Sequence, residues 1–470
     1  MLFHGDDFLV KSISKFLFII ILILLLSGCF INPDNNIIST VISQIDIEKN
    51  GHIEQLHEYN SPYTIVYRNK NDIYSIYIFT SPIQYKDDNN KYKIIDNTVI
   101  ESGKLGYSFE NKSNDIKTYF PKTFSEPFRI EKETDILEFK PNWNVDGFSE
   151  AVQTTFTNMY GDNINAVIYS RKDMDMLFYP TKSGIKSELI IKKKIQSNEF
   201  TFLIQSNALS YENEDNGYLL LKSGDISQSI IYKPLVSFKN NQGNQMYVTS
   251  TIYANGDKGN YFVTVKIHED ILKDEKTTYP VKIDTSFEMY QNKMPDSTVY
   301  SKHDINNYLA NFAVVGEHPI YGQGWHYVRF KLNYFLQVNE NSIIKAEYTT
   351  KQLYLSKAPP KTTLNRASKQ WSSTEMLWKD KTAEGNVIAS EEKYKNGYLR
   401  FDISDYVKDC LGGISWETED IGTVIKSENT DDDDDNYQII STADNALYSP
   451  YIKIDFNSPP INFISQEGIK

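Results

Sequence analysis

The sequence predicts an all-β protein: two antiparallel β-sandwich-like domains, the C-terminal one a jelly roll, following a signal peptide and a polar tether. Three observations carry that expectation. Aromatic residues make up 13% of the 470, with 33 Tyr and 25 Phe, a composition suited to half-buried strands. Short alternating runs recur from about Tyr63 onward, among them TIVYR, DIYSIYIF, DILEFKP, ELIIKKK, EFTFLI and YFVTVKI. Turn formers separate them, as in DDNN (87–90), SG (183–184), NNQGN (240–244) and ANGDKG (254–259). At 470 residues the chain exceeds one compact core, and no internal repeat of fixed period is present.

The amino terminus comes first in order. Phe16 to Leu26 is an apolar run of 11 residues, too short for the roughly 20 that span a bilayer as helix. Lys11 and Lys15 precede it, giving the layout of a signal peptide over residues 1–28. Asp6 and Asp7 lie ahead of those lysines and weaken the positive character of the leader. Leu26, Ser27, Gly28 and Cys29 follow the apolar run: small residues for a peptidase, then a thiol for acylation. These four resemble a bacterial lipobox, which implies a lipoprotein whose lipidated Cys29 holds it to the cell membrane, facing outward. Residues 29–60 are polar and Asn-rich and are expected to form the tether.

Residues 61–290 are then expected to form a β-rich N-terminal domain. Its best short helix is HEDILKDE (268–275), after which YPVKID (279–284) returns to strand. Residues 291–458 are expected to form the second β domain and 459–470 a tail. Strands fall at YVRFKL, IIKAEYTTKQLYLS, YLRFDIS, GTVIKSE, YQIIS and YIKIDF; Ser404 N-caps a short helix, DYVKDCL, closed by Gly412 or Gly413.

The second block as a whole resembles the DNRLRE domain, a jelly-roll sandwich grouped with carbohydrate-binding module family 96. Trp371 with Trp378, the FDIS-then-helix segment at 401–411 and the closing SPYIKIDF carry the likeness. Cys410 departs from it, standing where such domains often place a Trp, and the hexamer that names the family is not visible. The stretch VIYSRKDMDMLFYPTKSGIKSELII, with the YPVKID run, looks like the β-rich region found ahead of such domains in wall-associated surface proteins. The resemblance implies a secreted binding or adhesive module without catalytic machinery. The partner it suggests is a polysaccharide or cell-wall polymer. A surface protein is the alternative partner, and a polysaccharide-acting enzyme a third reading.

The charge is −13 overall and unchanged without residues 1–28, because Asp6 and Asp7 balance Lys11 and Lys15. Such a chain has no basic surplus to displace phosphate counterions, so no nucleic-acid partner is expected. With only Cys29 and Cys410 in the chain, lipidation of the first leaves no internal disulfide, and Cys410 reads as a small buried hydrophobe. His52, Glu54 and His57 have the wrong spacing for a zinc-protease helix, and Gly322 with Gly324 reads as a turn. Asp402, Asp405 and Asp409 are explained by capping and solvation of the short helix. Asp431, Asp433 and Asp435, within five consecutive acids, are the candidate Ca2+ ligands in an otherwise cofactor-free protein. Among Trp325, Trp371, Trp378 and Trp416, Trp325 in the turn YGQGWH is the candidate glycan contact, as an exposed ring for a sugar face.

The anchor is directly testable: Cys29→Ser is expected to move the protein from the membrane pellet to the soluble fraction. A variant that stays membrane-bound refutes lipidation at this position.

Overall fold

The computed structural model describes residues 51–459 apart from 158–162, 208–209, 215–217, 224–225, 233–234, 240–244, 250, 274, 276, 290–293, 303–306, 308–311, 320, 331, 333–339, 357–360, 374, 382–383, 391, 396, 413–421, 429–435, 444 and 446–447. The protein is built almost wholly of antiparallel strands. The short helix expected near 268–275 is present as Glu269–Lys273, and the strand after it runs Thr278–Met289.

One sandwich packs a sheet of 8 strands, between Asp96 and Lys266, on a sheet of 10, between Val152 and Met289. Alternation explains the burial. Along Asp135–Pro141, Leu137 and Phe139 are buried while Ile136, Glu138 and Lys140 on the other face are partly exposed. The inward residues of both sheets meet in one aromatic core. Phe178 lies 4.2 Å from Phe128, and Phe139 stacks on Phe287 at 4.1 Å and 12°. Such ring pairs add specificity to the area buried.

The second sandwich is closed by strands from both ends of the chain. Tyr74–Phe79 pairs with Tyr451–Phe456, which pairs in turn with the 13-residue strand Ile343–Leu355. Thr64–Asn69 and His52–Gln55 extend the same sheet outward. Reading the chain in linear order assigns 52–60 to the tether and 61–79 to the first domain. The pairing instead places 52–79 beside the C-terminal strands. The cause is complementarity across the sheet: Val66, Ile76 and Ile78 bury against Ile452, Ile454 and Tyr348, covering apolar surface that Tyr451–Phe456 presents. The first sandwich is therefore an insertion between Phe79 and Asp296.

The short helix spans Ser404–Gly412. Its start differs in detail from the expected Ser404 cap: the Asp402 carboxylate accepts from the Ser404 amide (3.0 Å) and from its hydroxyl (2.6 Å). Cys410 is buried on the inward side with Tyr406, Val407 and Leu411, as a small hydrophobe.

Truncating a fully buried ring at the centre of the first core tests this packing. Phe178→Ala is expected to cost about 3–5 kcal/mol in urea denaturation, since the site is enclosed by four other rings and collapses poorly.

Candidate functional site

The most distinctive surface lies on the outer face of the second sandwich. Strand Gly322–Val328 turns Trp325 and Tyr327 to the same side, and Val299 and Val424 stand opposite them on the flanking strands. Ala367 and Met376 complete a small apolar floor. Trp371 and Trp378 lie half-buried on that floor. Trp378 meets Trp325 edge-on at 5.6 Å and 67°, and Trp371 tilts against Tyr327 at 5.5 Å.

Cations cover these rings. Lys381 Nζ is 3.8 Å from the Trp378 ring and 4.6 Å from that of Trp325, while Lys426 Nζ approaches Trp325 at 5.5 Å. The Arg329 guanidinium lies 5.0 Å from Trp371 and donates to the Trp371 carbonyl (3.2 Å) and Gln370 Oε1 (3.0 Å). A one-turn helix, Trp378–Asp380, brings Lys381 back over the rings, its amide bonded to the Trp378 carbonyl at 3.2 Å. Cation–π contacts of this kind hold each charge at the surface. The face thus sets positive charge beside aromatic rings, a pattern able to meet a phosphate.

The expected site residues fare differently. Trp325 is only 5% exposed, with its ring against Trp378 and beneath Lys381. It is a floor residue and not an exposed glycan platform, because strand alternation turns it onto the apolar cluster and Trp378 folds over it. Leu26, Ser27, Gly28, Cys29, Trp416 and the Asp431, Asp433 and Asp435 run lie outside the described residues. Among the described residues no group of three or more His, Cys, Asp or Glu side chains is placed to hold a metal ion. His52 is held in the sheet: its ring stacks on Tyr67 at 4.5 Å, Nε2 lies 2.8 Å from the Tyr77 hydroxyl, and Nδ1 meets Asn69. Burial lowers its pKa despite that amide and the Asp455 carboxylate. Asp402 caps the helix and Asp409 pairs with Arg366 at 3.3 Å.

Sequence reasoning did not single out Arg329, Lys381 and Lys426. A signal was present in WSSTEMLWKDK and HYVRF, where aromatics and cations alternate within a few residues. Reasoning also passed over a buried pair, His326 and Asp296, whose Nε2 and Oδ2 are 3.9 Å apart at 1% and 3% side-chain exposure. Asp296 Oδ2 also accepts the Ala443 amide at 2.9 Å, and Thr298 Oγ1 lies 3.1 Å from His326 Nδ1. This pair sits among interior polar groups and faces the core.

No family model matches the chain. Three curated proteins are similar to it, each 21% identical over 326 residues. They are the tRNA nuclease WapA of Bacillus subtilis strain 168, the tRNA(Glu)-specific nuclease WapA of B. subtilis subsp. natto, and the tRNA3(Ser)-specific nuclease WapA of B. spizizenii. The match takes in 64% of this chain and 13% of each relative, so the chain corresponds to a small part of their length. These relatives are enzymes by name and act on RNA by name. Two expectations are corrected by that finding: the non-catalytic module for glycan or wall polymer, and the exclusion of nucleic acid. The exclusion rested on net charge, which sums over the whole chain, whereas contact with phosphate depends on the cations gathered at one face.

Gly422 fixes the edge of this surface. Its φ is +85°, and a Cβ there would sit 3.0 Å from the Val328 carbonyl and 3.1 Å from Trp371 Nε1. Gly422→Ala is expected to destabilise by about 1–2 kcal/mol from backbone strain alone. It should also shift the tryptophan fluorescence, as Trp371 is pushed off its seat; an unchanged spectrum would contradict that placement.

Proposed function

We propose that this chain works in a tRNA-directed nuclease system and meets RNA on the face formed by Trp371, Trp378, Arg329, Lys381 and Lys426. The observation that carries the reading is the 326-residue similarity to proteins named as tRNA nucleases. The surface chemistry supports it. Half-buried indole rings beside these cations offer apolar contact for unpaired bases. Ammonium and guanidinium groups held over those rings offer phosphate contacts, which act locally even in an acidic chain.

The same reading places the protein on the outer side of the cell membrane through lipid on Cys29. The leader and lipobox residues support that location. The 22 residues from Phe30 to Gly51 could extend at most about 75 Å, enough to set the sandwiches well clear of the lipid.

The test is filter binding of labelled tRNA to the full chain at about 50 and 200 mM salt, with the RNA recovered and run on a gel. Binding is expected at low salt. Lys381→Gln with Lys426→Gln should weaken it about tenfold or more. The pair should also reduce the log–log salt slope by roughly 0.7–0.9 for each phosphate that is no longer neutralised. Fragments on the gel would add cleavage to binding. Absence of binding at low salt, or equal binding by the double variant, refutes the assignment of this face.

A further inference from the structure

We infer that Lys182 is an interdomain key that locks the inserted sandwich to the second one. Lys182 lies in the turn between strands Met174–Pro180 and Gly184–Ile191 of the inserted sandwich, yet it is only 7% exposed. Its ammonium leaves its own unit and donates to Ser81 Oγ at 2.7 Å and Ser449 Oγ at 2.5 Å. Those two serines follow Tyr74–Phe79 and precede Tyr451–Phe456, the paired strands that close the second sandwich. They are 6% and 2% exposed, and their hydroxyl oxygens are 2.5 Å apart.

The turn that presents the lysine is itself fastened. Asn114, fully buried, donates from Nδ2 to the Lys182 carbonyl (3.1 Å) and to Asn97 Oδ1 (3.1 Å). Thr181 Oγ1 accepts the Gly184 amide at 3.0 Å, and Ser183 Oγ donates to Glu288 at 2.9 Å. On the receiving side, the Thr80 amide and hydroxyl both donate to the Pro450 carbonyl, at 2.9 and 3.1 Å. The Met294 amide then donates to the Thr80 carbonyl at 2.9 Å. The chain therefore leaves and re-enters the second sandwich at the point where the lysine is inserted.

A buried ammonium is a costly way to gain stability, because desolvation opposes the hydrogen bonds it makes. It is a selective way to fix one relative placement: a sandwich displaced by a few ångströms separates the ammonium from both serine hydroxyls. The key makes the two sandwiches move as one body, and loss of it frees the inserted unit to swing on its two connections.

Amine acetylation and amide exchange, read by mass spectrometry on the full chain in detergent, test this. In the wild type, Lys182 should acetylate at least about tenfold slower than the exposed Lys193, reflecting the rarity of seam opening. Ser81→Ala with Ser449→Ala should erase most of that protection. Lys182→Met, which keeps the bulk and removes the charge, should speed exchange at the Thr80 and Met294 amides about tenfold while leaving Ile76 unchanged. If Lys182→Met fails to fold, the serine variant decides on its own. Lys182 reacting as fast as Lys193 in the wild type would overturn the inference. So would unchanged exchange at Thr80 and Met294 in a folded Lys182→Met, or unchanged Lys182 protection in the serine variant.

Discussion

The pairing of Tyr74–Phe79 with Tyr451–Phe456 is the constraint on which the rest of the molecule depends. It joins strands 380 residues apart in the chain, as in the Ser75 hydroxyl's bond to the Asp455 carboxylate. Closing so long a loop costs entropy that must be met by burial, and the apolar faces of both strands supply it within one core. Everything between is then fixed at its two ends. The inserted sandwich must leave and return at one seam, which is where Thr80, Lys182, Met294 and Ser449 gather.

The outer face of the second sandwich follows from a different balance. Tryptophans on a small apolar floor leave ring edges in water, and cations settle on them because a ring's negative face attracts charge that stays partly hydrated. The outcome is a cluster of three cations beside these rings on a protein of charge −13. Net charge governs solubility and long-range approach, and it says little about one face. This is the physical reason the exclusion of nucleic acid fails as an inference from composition.

Interior polar groups show how little of a site can be judged from residue type. His326 with Asp296 and Lys182 with its serines have the chemistry sought in active centres, yet both are enclosed and engaged with the fold. His52 likewise has each ring nitrogen beside a partner, with Tyr67 stacked on its face. By contrast Arg329, Lys381 and Lys426, ordinary in the sequence, come from three separate segments to one aromatic cluster, Arg329 at Trp371 and the two lysines at Trp325.

The all-β class, the short helix at Glu269–Lys273, the strand after it and the helix at Ser404–Gly412 were legible because each rests on local alternation, turn residues and capping groups. The expectation of a lipidated leader rests on equally local features, the order of charge, apolar length and small residues. Partner choice between strands is not local: residues 52–79 read as tether and first-domain strands until Tyr451–Phe456 is seen beside them. Nor is burial, since Trp325 lies in a glycine-flanked segment that suggests exposure and is covered by Trp378 from a loop 53 residues on. Sequence by itself determined the kind of secondary structure, because neighbouring residues decide it. Tertiary structure decided which strands close the second sandwich and which side chains share its outer face, because those depend on surfaces that meet only after the chain has folded.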